Sequence, residues 1–309
     1  MSAAFTPSPR WEEGPRAAQF LRSMLFALTA LILHATAQAQ ITLRDDRNAT
    51  LAFTTSPHRI VSLLPSLTES ICALGGCARL VGVDRFSNFP ASILALPKVG
   101  GLEDAQIERI VALKPDVVLA SASARVIDRL EALGLKVLVV ESRNHADVKR
   151  TLALLAQMLG TPAAADAVSA RIEHDLQEAQ ARVPRALRGQ RIYFEVDATP
   201  YAAGPGSFIG ETLARLGMAN AMPAELGPFP KLNPEYVVRA QPDVIMAARQ
   251  SIVDMPRRPG WGVLRALQSH RTCGFDGERY DMLVRPGPRM GEAALLLADC
   301  LAALPAAAP

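Results

Sequence analysis

From about residue 57 onward, short apolar runs alternate with segments whose apolar positions recur every three or four residues, the pattern of buried strands followed by amphipathic helices. Arg59–Leu64 reads as a β-branched, leucine-rich strand. Pro65-Ser66-Leu67-Thr68-Glu69 opens a helix in which Ser66 is expected to cap and Glu69, three residues on, to complete a capping box. Leu80–Val83, Val117–Ala120 and Lys136–Val140 read as further strands. Ile107–Leu113 and Val126–Leu133 read as helices, stopped at Lys114-Pro115 and at Gly134. Uninterrupted apolar strands between helices predict an α/β fold with a parallel sheet.

The alternation then pauses. Ala146–Leu159 has helical periodicity, Gly160-Thr161-Pro162 interrupts it, and Ala163–Val183 continues as an alanine-rich helix about 30 Å long at 1.5 Å per residue. Pro184 ends that helix and Arg191–Val196 resumes the strand pattern. The expected organisation is an N-terminal α/β lobe over 40–160, a stiff connecting helix within 161–187 and a second α/β lobe over 188–309, both lobes Rossmann-like.

The halves echo each other. Glu108-Arg-Ile-Val-Ala-Leu-Lys-Pro-Asp-Val-Val-Leu-Ala120 matches Glu235-Tyr-Val-Val-Arg-Ala-Gln-Pro-Asp-Val-Ile-Met-Ala247 in spacing and character. Thr68-Glu69…Leu74-Gly75 matches Gly210-Glu211…Leu216-Gly217 in the same order. Two copies of one lobe explain both matches. Glu108 and Glu235 fall at helix N-termini, where exposed amides and the helix dipole favour a carboxylate. As an equivalent pair they also suit docking to a partner of two-fold symmetry.

The N-terminal segment adds an export signal. Arg16 and Arg22 precede an apolar run from Met24 to Leu33, followed by Ala37-Gln38-Ala39, so a signal peptide over 1–39 with cleavage after Ala39 is expected. A run of ten residues spans about 15 Å as a helix, half of a bilayer's hydrocarbon core. The mature protein is therefore expected outside the cytoplasm. In that compartment the four cysteines are free to pair. Cys72 and Cys77 bracket the turn at Gly75-Gly76 and are candidates for a disulfide; for Cys273 and Cys300 the sequence leaves pairing open.

A net charge of +3 with scattered basic residues gives no nucleic-acid surface. His34, His58, His145, His174 and His270 are dispersed, without the spacing of a local zinc site. Gly204-Pro-Gly206 reads as a turn rather than a phosphate loop, and a Gly-x-Ser-x-Gly nucleophile motif is absent. The expected activity is binding without catalysis, by a monomer that holds no metal or catalytic cofactor.

Taken together, Arg59-Ile-Val-Ser-Leu-Leu-Pro-Ser-Leu-Thr-Glu69, Leu80-Val-Gly-Val83, Lys98-Val-Gly100, Ile107-Glu-Arg-Ile-Val-Ala-Leu-Lys-Pro-Asp116 and Leu135-Lys-Val-Leu-Val-Val140 resemble the iron-siderophore, haem and cobalamin family of periplasmic binding proteins. The resemblance covers about residues 57–305 and implies two lobes bridged by one long helix, with a ligand in the cleft between them. It implies an ABC importer as partner, whose permease subunits would engage Glu108 and Glu235. Among its branches the cobalamin-binding one is most similar, which makes cobalamin or a related corrinoid the expected cargo. Matching motifs residue by residue assigns Phe86 and Phe89 to the first lobe's wall of the cleft, and Tyr201, Phe229 and Asp281 to the second. Arg289 falls near the cleft, to pair with a ligand carboxylate or to brace its loop. Leu102 and Ser121 stand where the cobalamin-binding members carry tryptophan, a departure that keeps haem and ferric siderophores as alternatives. A tetrapyrrole metal chelatase and a zinc or manganese receptor share the bilobal plan, but the first would need a His or Glu pair in the cleft and the second about three His with an Asp or Glu converging, against which the histidines are scattered.

Overall fold

An antiparallel hairpin, β1 (Ile41–Arg44) with β2 (Thr50–Phe53), is the first element among the described residues. The computed structural model describes residues 40–305, together with Met1, Ala3, Ala4 and Thr6. The expected signal peptide lies, apart from those four residues, outside the described residues. In the first lobe β3 (Ile60–Ser62), α1 (Pro65–Ala73), β4 (Leu80–Val83), α2 (Ile107–Ala112), β5 (Val117–Ala120), α3 (Ile127–Ala132) and β6 (Val137–Val139) follow in order. The strands form a parallel sheet in the order β4-β3-β5-β6. Every residue of β3, β5 and β6 is buried, because helices cover both faces.

Two helices leave this lobe. Asn144 caps α4 (His145–Leu159) by accepting from the Asp147 amide at 2.8 Å. Gly160 turns the chain in the left-handed region, and α5 (Pro162–Arg182) runs 21 residues with proline in its first turn. Ala165, Val168, Ile172, Leu176 and Ala179 form its single buried stripe, at the three- and four-residue intervals of one helix face.

The second lobe comprises β7 (Arg191–Asp197), β8 (Tyr201–Ala202), α6 (Phe208–Arg215), β9 (Ala219–Asn220), α7 (Pro234–Ala240), β10 (Val244–Ala248), α8 (Arg249–Asp254), α9 (Arg265–Gln268), β11 (Thr272–Phe275), α10 (Gly277–Val284) and α11 (Met290–Ala302). Its sheet runs β11-β10-β7-β8, with β9 also on β7 and β8 antiparallel. α11 returns to pack along α5. At Gly291 the approach is so close that a Cβ would lie 2.6 Å from the Cβ of Asp175.

The sequence echo is a structural one. Lys114 (φ 46°) and Gln241 (φ 44°) end the two matching helices in the left-handed region, and the Pro-Asp pair then enters the strand. Asp116 and Asp243 accept the amides of Arg59 and Arg191 at 2.9 and 2.8 Å, across to the strand paired alongside. The guanidinium groups of those arginines return to the helix ends, at the carbonyls of Leu113 and Ala240. Gly75 and Gly217 occupy the same positive-φ position after the other pair of matched helices.

Two expectations change. Ser66 is not a cap: Leu64 holds that position and Pro65 the first helical one, so Ser66 lies inside α1 and no capping box forms. Glu69 turns inward instead, for the reason given below. The hairpin β1–β2 was not legible in the pattern. It is tied down by the buried carboxylate of Asp45, which accepts the Arg47 and Ala49 amides at 2.9 and 2.8 Å. Cys72 and Cys77 are bridged as expected, and Cys273 is bridged to Cys300, which joins β11 to α11.

Candidate functional site

In both sheets the chain adds a strand on one side of β3 or β7 and then crosses to the other, so each lobe has its switch point at that strand. Ligands of open α/β sheets settle beyond the carboxyl ends of strands at such points. In the first lobe a pocket of about 420 Å³ lies there, lined by Leu63, Leu64 and Pro65 after β3, by Asp84, Arg85 and Phe86 after β4, and by Gly101–Asp104.

The Phe86 ring projects from a segment built around a buried aspartate. The Asp84 carboxylate accepts the Phe86 and Ser87 amides at 2.8 and 3.1 Å and the Ser87 hydroxyl. The Ser87 hydroxyl also lies 2.9 Å from the Thr68 hydroxyl, from which it accepts, and the Ser87 carbonyl accepts from Lys98 at 2.6 Å. Burial pushes the Asp84 carboxyl above the ordinary aspartate range, although the bonds from Ser87 and the two amides pull the other way. Burial also holds the Lys98 ammonium below its usual value. Phe86 is left 63 % exposed, available to a flat ligand.

On the outer side of this segment the second lobe closes in. Glu69, 3 % exposed, accepts from Arg285 at 2.9 Å and from Arg289 at 2.8 and 2.7 Å. Arg285 also donates to Asn88, to the Phe86 carbonyl and to Asp281, at 2.7, 3.0 and 2.9 Å. Asn88 in turn donates to Asp281 at 2.8 Å. The Arg289 guanidinium lies 4.0 Å from the centre of the Phe89 ring.

A second seam joins the lobes at the start of α4. There the His145 amide donates to Glu211 at 2.8 Å, and its ring lies 3.1 Å from the Phe208 carbonyl. Burial lowers the pKa of that imidazole. The same ring nitrogen, Nε2, lies 2.8 Å from the Thr212 hydroxyl.

The structure therefore sorts the residues singled out by sequence. Phe86 lines the pocket; Phe89, Asp281 and Arg289 gather beside it in the ionic cluster. The Nε–Nη2 edge of the Arg289 guanidinium pairs bidentately with Glu69, the bracing geometry. Tyr201, 40 % exposed, and Phe229 lie on adjoining segments of the second lobe, joined by the Ala202 amide to the Pro230 carbonyl at 3.0 Å. Neither lines the 420 Å³ pocket. Phe229 is half-buried and packs on Phe208 with ring centres 5.9 Å apart, a core contact. Leu102 lines the pocket, whereas Ser121 is nearly buried and bonded to Ser123 at 2.7 Å. Sequence reasoning missed Asn88 and Arg285, although the four-residue step from Asp281 to Arg285 was a visible signal of an ion pair on a helix.

Other features stand apart. A depression of about 590 Å³ is lined by Gly189, Gln190, Asp243, Ser269 and Arg271, at the amino ends of the second sheet's strands, the edge such sheets do not use for ligands. His174, Asp175 and Glu178 cluster on α5 with metal-ligating atoms close together, but Glu178 is paired with Arg182. Glu108 and Glu235 are exposed, each the second residue of its helix. Among the described residues no helix is long and apolar enough to cross a membrane.

The chain is 29% identical over 274 residues to an uncharacterised ABC transporter substrate-binding lipoprotein of Bacillus subtilis, covering 84% of this chain and 85% of that protein. It is 28% identical over 268 residues to a cobalamin-binding protein of Halobacterium salinarum, covering 82% and 71%. Its fold matches a periplasmic haem-binding protein of Roseiflexus with a TM-score of 0.68 at 26% identity, over 79% of this chain and 98% of that one. The model of the periplasmic binding protein family matches residues 60–277, and with both lobes in place the chain belongs to that family.

Proposed function

We propose that this protein is the extracytoplasmic substrate-binding component of an ABC importer, that its cargo is cobalamin or a related corrinoid, and that Glu108 and Glu235 meet the permease. The observation that carries the ligand reading is the charge of the pocket wall. Asp84, Glu103 and Asp104 line it with a single cation, Arg85, which is already paired with Asp104. Arg285 and Arg289 beside it are engaged by Glu69. A polyanionic ferric siderophore would meet net negative charge there, whereas the corrin macrocycle carries neutral amides and a broad face for Phe86. The cobalamin-binding relative from Halobacterium supports the same reading.

Calorimetric titration of residues 40–309 with cyanocobalamin tests it. Binding in the nanomolar-to-micromolar range is expected. Phe86→Ala should weaken it roughly 10- to 100-fold, the equivalent of about 1.5–3 kcal/mol for one buried aromatic side chain. No heat at about 0.1 mM ligand (a Kd that would leave under 6 kcal/mol of binding) rejects the corrinoid.

Haem is the second reading, favoured by the exposed phenol of Tyr201 as an axial ligand and by the haem-binding structural relative. A shifted Soret band on adding haemin, lost in Tyr201→Phe, would decide for it.

Docking is read separately. The pair Glu108→Lys/Glu235→Lys reverses both exposed helix-end charges without touching the pocket. It should leave ligand affinity unchanged and slow uptake by at least about tenfold, since rim charges govern encounter and orientation. Uptake at the wild-type rate would remove these glutamates from the interface.

A further inference from the structure

The segment that carries Phe86 and Phe89 belongs by sequence to the first lobe, yet most of its outer contacts come from the second. Arg285 binds the Phe86 carbonyl and the Asn88 side chain, and Asp281 binds Asn88 from the other side. Arg289 covers the Phe89 ring. Only Ser87 is fixed wholly from within its own lobe, by Asp84, Thr68 and Lys98. Both arginines are themselves immobilised by one buried carboxylate, Glu69, which lies 216 and 220 residues away in sequence. Asp281 supplies the second negative charge.

We infer that Arg285 and Arg289 are positioning residues for the ligand-facing aromatic segment, with Glu69 as their anchor. This rests on the reading of Phe86 as a ligand-contacting ring. The arginines do not line the pocket; they act through the backbone at Phe86 and the ring of Phe89. The chemistry requires arginine. At Arg285 one planar fork serves four acceptors on three elements, and at Arg289 it pairs bidentately with Glu69 while stacking on a ring. An ammonium is a point charge that does neither. The cluster also ties the pose of the aromatic segment to the seating of the lobes. The second lobe thus shapes a pocket whose walls all belong to the first.

Hydrogen exchange of the ligand-free protein tests this without a ligand. Arg285→Met and Arg289→Met should raise exchange across residues 86–89 by at least about tenfold, with β5 protected as in the wild type. Arg285→Lys should not restore protection. The same variants should weaken cyanocobalamin about tenfold, by loosening a segment they do not replace. Wild-type exchange at 86–89 in a folded variant overturns the inference, and so does uniform acceleration that includes β5. Should an arginine variant fail to fold, Glu69→Gln, which keeps the shape and removes the anchoring charge, is read in the same way. If the wild type itself does not take cyanocobalamin, the ligand reading fails while the exchange arm still decides the positioning role.

Discussion

Glu69→Ala is expected to lower the unfolding free energy by about 3–5 kcal/mol in a urea titration, the range for breaking a buried ion pair from one side. The substitution leaves the side chains of Arg285 and Arg289, each 9 % exposed, facing the space the carboxylate filled. Asp281 stays with Arg285, so Arg289 is the group left unpaired. Desolvated guanidinium without a counter-charge dominates the loss; the cavity left by a glutamate is secondary. The triple replacement Glu69→Leu/Arg285→Met/Arg289→Met removes all three charges together. It should recover most of the stability, because an apolar cluster of similar volume avoids the desolvation of those three charges, while Asp281, about a third exposed, keeps Asn88 and water as partners. A loss under about 1 kcal/mol for Glu69→Ala would mean the cluster is hydrated like a surface pair. Stability and positioning are then separate properties of one cluster: the triple variant should be stable and still exchange fast at 86–89.

The fold was legible wherever burial was two-sided. Leu80–Val83 and Val117–Ala120 are strands with the limits the pattern assigned, because a strand covered on both faces has no polar positions to blur its ends. The long helix was equally plain, bounded by Pro162 and Pro184. The internal echo was legible because each Pro-Asp pair solves the same local problem of leaving a helix and entering a sheet. What local spacing could not give was the partner of a buried charge. Glu69 stands three residues after Ser66, which fits a cap, yet its arginines are more than two hundred positions away. Arg289 was visible as a residue near the cleft, but whether it faced a ligand or a carboxylate depended on Glu69. Phe229 shows the same limit from the apolar side: an aromatic in a plausible place turns out to pack on Phe208.

The pairing of Cys273 with Cys300 stayed open in the sequence for a related reason, and the two bridges yield the other large effect. Cys273→Ala/Cys300→Ala is expected to cost about 3.5 kcal/mol of stability, against about 2 kcal/mol for Cys72→Ala/Cys77→Ala. The difference comes from the unfolded chain. The first bridge closes a separation of 27 residues and the second one of 5, so the longer loop removes more conformational freedom from the denatured ensemble. The longer bridge also joins the edge strand β11 to α11, the helix that packs along α5, so its loss frees both the sheet edge and the C-terminal helix. Cys273 is buried, and alanine there adds a small cavity to the entropic term. Urea titrations of the two double variants decide the order. If the Cys72–Cys77 variant is the weaker of the two, loop closure is not what these bridges contribute, and the short bridge acts instead by fixing the turn that follows α1, next to the helix that carries Glu69.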